Sequence, residues 1–326
     1  MNNKNIRLIK KMQRILITGG TGFIGSNLIR KIISSNNKIY SINRNVKNCW
    51  RVTDIQGKIN MIKTDLTNRN NLEKVIKKIN PDIVFHLASY GVNNSEKNFS
   101  KILNTNAIGS YNLFSILAEN KPKKIINVGS VFEYGQLKHK GGFSEEDCSN
   151  PFTKYGMSKN YQTNLANYFV NSKSLPIVTL RLFTPFGMYE YKNRLVSQMM
   201  ISKIKNQKMC ISSAKSTRDF VFIDDVIDAF VKASKKKNIE GEIFNIGLGK
   251  SHSVEQIVNF MNKLSESKTE IQIKNVPVND YDILGGKGYA SILKAKKILN
   301  WSPKNSIEEG LAKTFSWYKK NISLYN

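Results

Sequence analysis

Cysteine and histidine are scarce in this chain of 326 residues, with three of each and none of them grouped. Cys49, Cys148 and Cys210 are odd in number and far apart, so they make neither a disulfide framework nor a thiolate metal site. His86, His139 and His252 are scattered in the same way, which leaves metal chemistry without a ligand set. This usage fits a reducing, cytoplasmic compartment. Long apolar runs are missing too: none approaches the roughly 20 residues of a bilayer-spanning helix, so no membrane segment is expected. Residues 1–13 carry Lys4, Arg7, Lys10 and Lys11 but no apolar core and no small-residue cleavage site, which argues against a secretory leader. Internal repeats and low-complexity linkers are absent. Acidic residues are the last shortage, 24 Asp and Glu against 51 Lys and Arg, for a formal charge of +27. Such a surplus suits nucleic acid. Here, however, the basic residues are spread along the whole chain, with only short clusters such as Lys235-Lys236-Lys237, and they travel with heavy use of asparagine. That is the mark of AT-rich coding, and dedicated nucleic-acid binding is not expected. A basic field would still help draw in an anionic small molecule.

Two patterns stand out from this background. Arg14–Thr18 reads as a short buried strand, Gly19-Gly20-Thr21-Gly22-Phe23-Ile24-Gly25 follows at once, and Ser26–Ile33 has helical apolar spacing. In a strand–turn–helix context the glycines allow a tight turn and close approach of the backbone to a pyrophosphate. The free N–H groups at the helix start then hold the anion. Gly19, Gly22, Phe23, Ile24 and Gly25 are therefore candidate dinucleotide contacts. The second pattern is Tyr155-Gly-Met-Ser-Lys159, with Ser130 standing 25 residues before the tyrosine. A Tyr and a Lys four apart share one face of a helix. An ammonium beside a phenol favours the phenolate, so this tyrosine can take a proton from a hydroxyl or give one to a carbonyl. Either pattern alone is weak, because Y-x-x-x-K recurs by chance; their joint order is what carries the reading.

Apolar runs alternate with helical patterns through the first half, the βαβ signature of a parallel sheet. Strands are expected at 14–18, 38–42, 59–63, 82–86, 124–129 and 176–181, and helices near 23–35, 68–79, 98–119 and 154–171. Asn68 or Thr67 is placed to cap the second helix. Beyond Arg181 the rhythm changes. A loop at 184–193 and a helix near 194–205 lead to Arg218–Ile223, read as a strand returning to the main sheet. A helix capped by Asp224 or Asp225, a strand at Glu242–Ile246 and helices near 253–264, 291–298 and 306–320 follow. The expected fold is α/β: a Rossmann-type doubly wound parallel sheet with a smaller, interleaved C-terminal substrate lobe. Residues 12–182 plus about 216–250 would bind the dinucleotide, about 183–215 plus 251–326 would form the other lobe, and 1–11 would be a loose tail.

The motifs in this order resemble the extended short-chain dehydrogenase/reductases, the NAD-dependent epimerase/dehydratase group of nucleotide-sugar epimerases, dehydratases and ketoreductases. The resemblance runs from about Arg14 to about Tyr318. It takes in Asp65-Leu66, His86-Leu87-Ala88, Asn106-Ala-Ile-Gly109, Tyr134-Gly135, Arg181–Gly187, Arg218-Asp219-Phe220 and Trp301-Ser-Pro303. It implies Tyr155 as acid/base, Lys159 as the lysine that binds the nicotinamide ribose, and Ser130 as the hydroxyl that hydrogen-bonds the reacting oxygen. It also implies Asp65 at the adenine, with Leu66, Leu87, Ala88 and Asn106 as further cofactor positions. Asn43 stands where NAD-preferring folds carry a carboxylate for the ribose 2′-hydroxyl. The adjacent Arg44 either pairs with a 2′-phosphate or points to solvent. The cofactor is thus NADP or NAD, with the balance toward NADP.

On the substrate side the resemblance implies a nucleotide sugar. Its diphosphate would meet Arg218, unless that arginine pairs with Asp219 or another acid. Thr184 stands where many relatives have Asn, and a second arginine is missing near Asn279-Asp280, for which Lys287 or Arg194 would have to compensate. Sugar 4,6-dehydratases of the group place an Asp-Glu pair after the catalytic Ser/Thr; here those positions hold Val131 and Phe132, with Glu133 one residue further. Dehydration is therefore disfavoured. A 4-ketoreductase acting on a 4-keto-6-deoxyhexose stands ahead of a 4-epimerase like the UDP-glucose enzymes with tightly held NAD. The run Gly129–Gly135 resembles reductases making deoxysugars such as abequose, and polysaccharide precursor synthesis is the setting this implies. A non-catalytic dinucleotide- or RNA-binding protein is the reading from another class; the intact Ser130, Tyr155 and Lys159 argue against it. Relatives dimerise through the helices equivalent to 98–119 and 154–171, so a homodimer is expected, with Tyr161, Leu165, Tyr168 and Phe169 either in that contact or against the sheet.

Overall fold

A computed structural model describes residues 12–33, 37–47, 49–92, 96, 98–135, 141–211, 216–265, 271–273 and 288–325. The tail at 1–11, His139, Asn279-Asp280 and Lys287 lie outside the described residues. The first element among the described residues is β1 (Gln13–Thr18), whose Ile15, Leu16 and Ile17 are buried, as a central parallel strand covered on both faces requires. The chain continues through α1 (Phe23–Ile32), β2 (Asn37–Asn43), a 3₁₀ helix (Trp50–Lys58), β3 (Asn60–Lys63), α2 (Arg69–Ile79) and β4 (Ile83–His86). Next come α3 (Phe99–Leu103), a π-helical turn (Asn104–Ile108), α4 (Gly109–Asn120), β5 (Lys124–Ser130), α5 (Lys154–Lys173), β6 (Ile177–Leu182) and β7 (Thr184–Phe186). The last part holds α6 (Leu195–Lys205), β8 (Met209–Ile211), β9 (Thr217–Arg218), β10 (Phe220–Phe222), α7 (Ile223–Lys235), β11 (Ile243–Ile246), β12 (His252–Ser253), α8 (Val254–Leu264), β13 (Ile271–Ile273), α9 (Leu293–Leu299) and α10 (Ile307–Asn321).

Among the described residues, seven strands form one parallel sheet in the order β11-β6-β5-β4-β1-β2-β3. The order reverses between β1 and β4, so the loops after these two strands splay apart and leave a crevice at their carboxyl ends. On one face Phe23, Leu28 and Ile29 of α1 pack with Ile223, Val226, Ile227 and Phe230 of α7. On the other, Leu72 and Ile76 of α2 meet Leu113, Phe114 and Leu117 of α4 and Ala166 and Phe169 of α5. Asn68 caps α2 as its sequence position suggests, its side chain accepting from the Asn71 N–H. No helix among the described residues is long and apolar enough to cross a membrane.

Four local expectations are corrected. The single helix at 98–119 is interrupted by a π-helical turn at Asn104–Ile108, in which Asn106 makes its bonds to the loop after β4. Arg218–Ile223 does not return to the main sheet: β9 pairs antiparallel with β12, and β10 pairs parallel with β7 in a sheet of its own. The reason is Asp219, whose buried carboxylate accepts from the N–H groups of Leu248, Gly249 and Ala290 and so draws this segment toward the loop after β11, which itself takes the sheet edge. The segment read as a loop at 184–193 thus begins with a strand, β7. Neither Asp224 nor Asp225 caps α7, whose N-cap is Phe222. Asp225 instead accepts from the N–H groups of Lys304 and Asn305 and from the Asn305 amide, tying α7 to the loop before α10.

Candidate active site

The glycine turn is closed too tightly for side chains. A Cβ on Gly25 would stand 2.4 Å from the Gly19 carbonyl oxygen, and one on Gly19, at φ +73°, would stand 2.9 Å from the Ala88 backbone. Gly22 is the N-cap of α1 and offers no side-chain cap, so the helix start faces outward with its N–H groups available to a ligand. The turn is bolted to the end of β2: the Asn43 side-chain Oδ1 accepts from the N–H and hydroxyl of Thr21, and its Nδ2 donates to Ser41. A cavity of about 380 Å³ opens here, walled by Gly19, Gly22, Asn43, Arg44, Asp65, Leu66, Leu87 and Ala88. The Arg44 guanidinium lies 5.4 Å from the Tyr90 ring centroid. Asp65 accepts from Thr67 through both its N–H and its hydroxyl.

A second cavity, of about 170 Å³, shares Gly19, Gly22 and Leu87 with the first and holds Phe23, Ile24, Gly25, Ser130, Tyr155, Lys159 and Arg194 in its wall. Ser130 ends β5, and α5 begins under the short 3₁₀ turn that follows, because the Thr153 side chain caps the Gly156 N–H. The fit is close: a Cβ on Gly156 would stand 2.3 Å from the Phe132 carbonyl oxygen. The Tyr155 ring meets Phe132 edge to face with centroids 6.0 Å apart.

Glu133 is 0% exposed and turns away from this cavity. Its Oε1 accepts from the Ser130 N–H at 2.6 Å, and its Oε2 is 3.0 Å from both Nε and Nη2 of Arg181. The carboxylate nearest the dehydratase position is thus a fixture of the β5 end.

Lys159 is 1% exposed. Its ammonium donates to Gln162 Oε1 at 2.6 Å, Gln162 donates to Asn127 Oδ1 at 2.6 Å, and Asn127 donates to Thr179. Burial lowers the Lys159 pKa to about 8, against the opposing pull of Glu133. His86 below it is held neutral, its pKa pushed down to about 3 by burial and by Lys159, with its ring nitrogens on Thr18 and Ser110. Gln162 stabilises the charged form of the lysine, so its removal makes the proton easier to lose. Gln162→Leu is expected to move the alkaline limb of the pH–rate profile to lower pH. Rate–pH profiles of both proteins test this; coincident limbs would show that Gln162 does not act on Lys159.

A third, smaller cavity of about 40 Å³ lies beside the second, sharing Phe132, Phe183 and Arg194, and brings in Thr184 and Arg218. The Asp219 carboxylate is spent on three main-chain N–H groups; its pKa is raised to about 6 by burial, which those bonds oppose. Arg194 pairs with Glu190 at 3.6 Å, and Ser197 donates to the same carboxylate. Burial raises the Glu190 pKa to about 7, against Arg194 and Ser197.

The structure therefore gathers the sequence-predicted residues along one cleft, with one exception. Asn106 walls none of these cavities: it is fully buried, accepting from the Tyr90 N–H and the Ser89 hydroxyl and donating to the Tyr90 carbonyl and Ser158. It braces the loop after β4 against α5. Sequence reading missed Gln162, Glu190, Arg51 and Tyr191. Only Gln162 carried a signal, being one helical turn beyond Lys159. Among the described residues no cluster of three or more metal-ligating side chains occurs.

With this geometry in hand, comparison with known proteins is specific. The model of the family described as NAD dependent epimerase/dehydratase matches residues 15–247. The dTDP-D-glucose 4,6-dehydratase of Homo sapiens is 28% identical over 329 residues, covering 95% of this chain and 91% of its own. The UDP-glucose 4-epimerase of Thermotoga maritima, solved with UDP-glucose, superposes with a TM-score of 0.87 at 26% identity over 95% of this chain and 99% of its own. The UDP-glucuronic acid 4-epimerase of Bacillus cereus, solved with UDP-glucuronic acid and NAD, superposes with a TM-score of 0.83 at 28% identity, over 94% and 99%.

Proposed function

Because the chain belongs to the NAD dependent epimerase/dehydratase family, we propose that it is an NAD(P)-dependent nucleotide-sugar oxidoreductase acting at C4 of the sugar, as a 4-ketoreductase of a 4-keto-6-deoxyhexose. The observation that carries this reading is the convergence of Ser130, Tyr155 and Lys159 on one cavity wall while Glu133 is locked onto Arg181 and the Ser130 N–H. The set can move a proton at a carbinol oxygen, and it lacks the carboxylate pair that eliminating water would need at positions 131 and 132.

The first cavity fits a dinucleotide. The turn would admit a pyrophosphate where a Cβ would block it, and Arg44, which walls the same cavity with Asn43 in place of an acid, would meet the adenosine ribose. A nicotinamide dinucleotide bound there would supply the hydride. Tyr155 then gives its proton to the C4 oxygen, Ser130 holds that oxygen, and the Lys159 ammonium favours the phenolate left behind. Arg194, Arg218 and Thr184, beyond Phe132, would take the nucleotide diphosphate. Residues 12–182 and about 216–250 serve the dinucleotide, and about 183–215 and 251–326 serve most of the nucleotide sugar.

A second reading, a 4-epimerase with tightly held NAD, is favoured by the two solved relatives, both 4-epimerases. Denaturing freshly purified protein separates the two. The reductase reading expects little dinucleotide release and tighter binding of NADPH than of NADH, since a reductase exchanges its cofactor each cycle. Stoichiometric NAD in the supernatant would replace it with the epimerase.

We further propose a homodimer through α4 and α5. Tyr161 and Tyr168 are 52% and 56% exposed, with Ile108, Tyr111 and Met157 exposed beside them. Phe169 faces the other way, packing on Phe114, and Leu165 is half-buried. Tyr161→Arg with Tyr168→Arg is expected to yield a monomer in analytical ultracentrifugation; an unchanged sedimentation coefficient would remove this face as the contact.

A further inference from the structure

Arg51 is the second residue of the 3₁₀ helix after β2 and is 9% exposed, yet among the described residues it has no carboxylate partner within ion-pairing distance. Its guanidinium is held in three ways. Its centre lies 4.4 Å from the Trp50 ring centroid and 4.3 Å from that of Tyr191, and its Nε donates to the Tyr189 carbonyl oxygen at 2.6 Å. Tyr189 takes φ +67°, in the left-handed region uncommon for an aromatic residue. The two Nη groups have no acceptor among the described residues. The nearby acid, Glu190, is already taken by Arg194 and Ser197.

A buried cation without an anion is costly, and ring faces compensate only in part. Burial accordingly pushes the Arg51 guanidinium below its usual range, with Tyr191 first among the groups that oppose this. Arg51, Trp50 and Tyr191 wall the same cavity as Gly19, Thr21 and Gly22. The Tyr191 hydroxyl is 3.8 Å from where a Cβ on Gly22, the N-cap of α1, would stand. The guanidinium therefore borders one space with Gly22, the N-cap of the ten-residue α1, and Gly22 and Tyr191 also wall the adjoining cavity that Phe23, Ile24 and Gly25 line.

We infer that Arg51 completes a phosphate cradle opposite the start of α1, and that the ligand it takes is the pyrophosphate of the dinucleotide. This rests on the dinucleotide reading above and adds a residue to it. A planar fork clamped between two rings loses little freedom on binding and presents two parallel N–H groups to phosphate oxygens. The anion in turn relieves the unpaired buried charge.

The test is calorimetric titration of the full chain with ADP-ribose, which has the pyrophosphate alone, and with adenosine 2′-monophosphate, which has the ribose phosphate alone. Arg51→Gln is expected to weaken ADP-ribose by about 10- to 100-fold and to leave adenosine 2′-monophosphate unchanged. Arg51→Lys keeps the charge without the fork and is expected to lose less. Thermal melts accompany each titration, and should Arg51→Gln not fold, Arg51→Lys carries the comparison. Weakening of adenosine 2′-monophosphate alone would overturn the pyrophosphate assignment, and unchanged affinity for both would overturn the cradle. Wild-type protein that binds neither probe would remove the dinucleotide reading itself.

Discussion

Tyr155→Phe is expected to lower single-turnover hydride transfer by about 10²–10⁴-fold, the usual contribution of a positioned acid/base group, and to leave dinucleotide affinity unchanged. The split follows from the packing. The Tyr155 ring is held edge to face by Phe132, and phenylalanine keeps that contact, so α5 stays seated under the 3₁₀ turn. Lys159 does not depend on the phenol for its placement, because Gln162, itself anchored on Asn127, holds its ammonium from the core side. The substitution removes the phenolic proton at the cavity wall. Lys159→Met should behave differently: on the proposed reading Lys159 serves the cofactor as well as the tyrosine, so affinity and rate are expected to fall together. Transfer is followed by nicotinamide absorbance and affinity by titration. Turnover at the wild-type rate in Tyr155→Phe would strip Tyr155 of its role.

The parts of this site that could be read from sequence are those where chemistry demands residue types at fixed short spacing. The turn from Gly19 to Gly25 can be read because Gly19 and Gly25 answer backbone approaches that a side chain would block, and Gly20 faces the Ser41 side chain just as closely. Tyr155 and Lys159 can be read because four residues make one helical turn. The parallel sheet could be read from buried apolar runs such as Ile15–Ile17, which alternate with amphipathic helices. What resisted reading depends on contacts between distant segments. Asp225 looks like a helix cap in sequence, yet its carboxylate is claimed by residues 304 and 305, a pairing that local spacing cannot announce. Asp219 likewise redirects a strand through N–H groups at 248, 249 and 290. Arg51 belongs to the same class: its meaning comes from Tyr189 and Tyr191, more than a hundred residues on.

Glu133 joins the main chain of Ser130 to the buried Arg181, and its replacement should have the second large effect. Glu133→Leu leaves the Arg181 guanidinium, 3% exposed in its side chain, without its partner. Removing one member of a buried pair costs about 3–5 kcal/mol, because the remaining charge stays in a low-dielectric surrounding. The stacking of Arg181 over the Tyr134 ring, 4.3 Å away, offsets only part of that. The variant also frees the Ser130 N–H, which Glu133 holds at 2.6 Å, so the serine proposed to hold the substrate oxygen loses its main-chain anchor at the end of β5. Loss of stability and loss of rate are then expected together, in urea unfolding and in turnover.

The double variant Glu133→Leu with Arg181→Met separates them. Replacing both charges with apolar groups of similar size removes the unpaired cation, and buried pairs exchanged in this way are often neutral for stability. The urea midpoint should therefore recover most of the way toward wild type. The rate should not recover, since the Ser130 N–H still lacks its acceptor. A double variant that regains both would mean that Glu133 serves only to balance Arg181. One that regains neither would mean that the pair shapes the end of β5 by more than its charge.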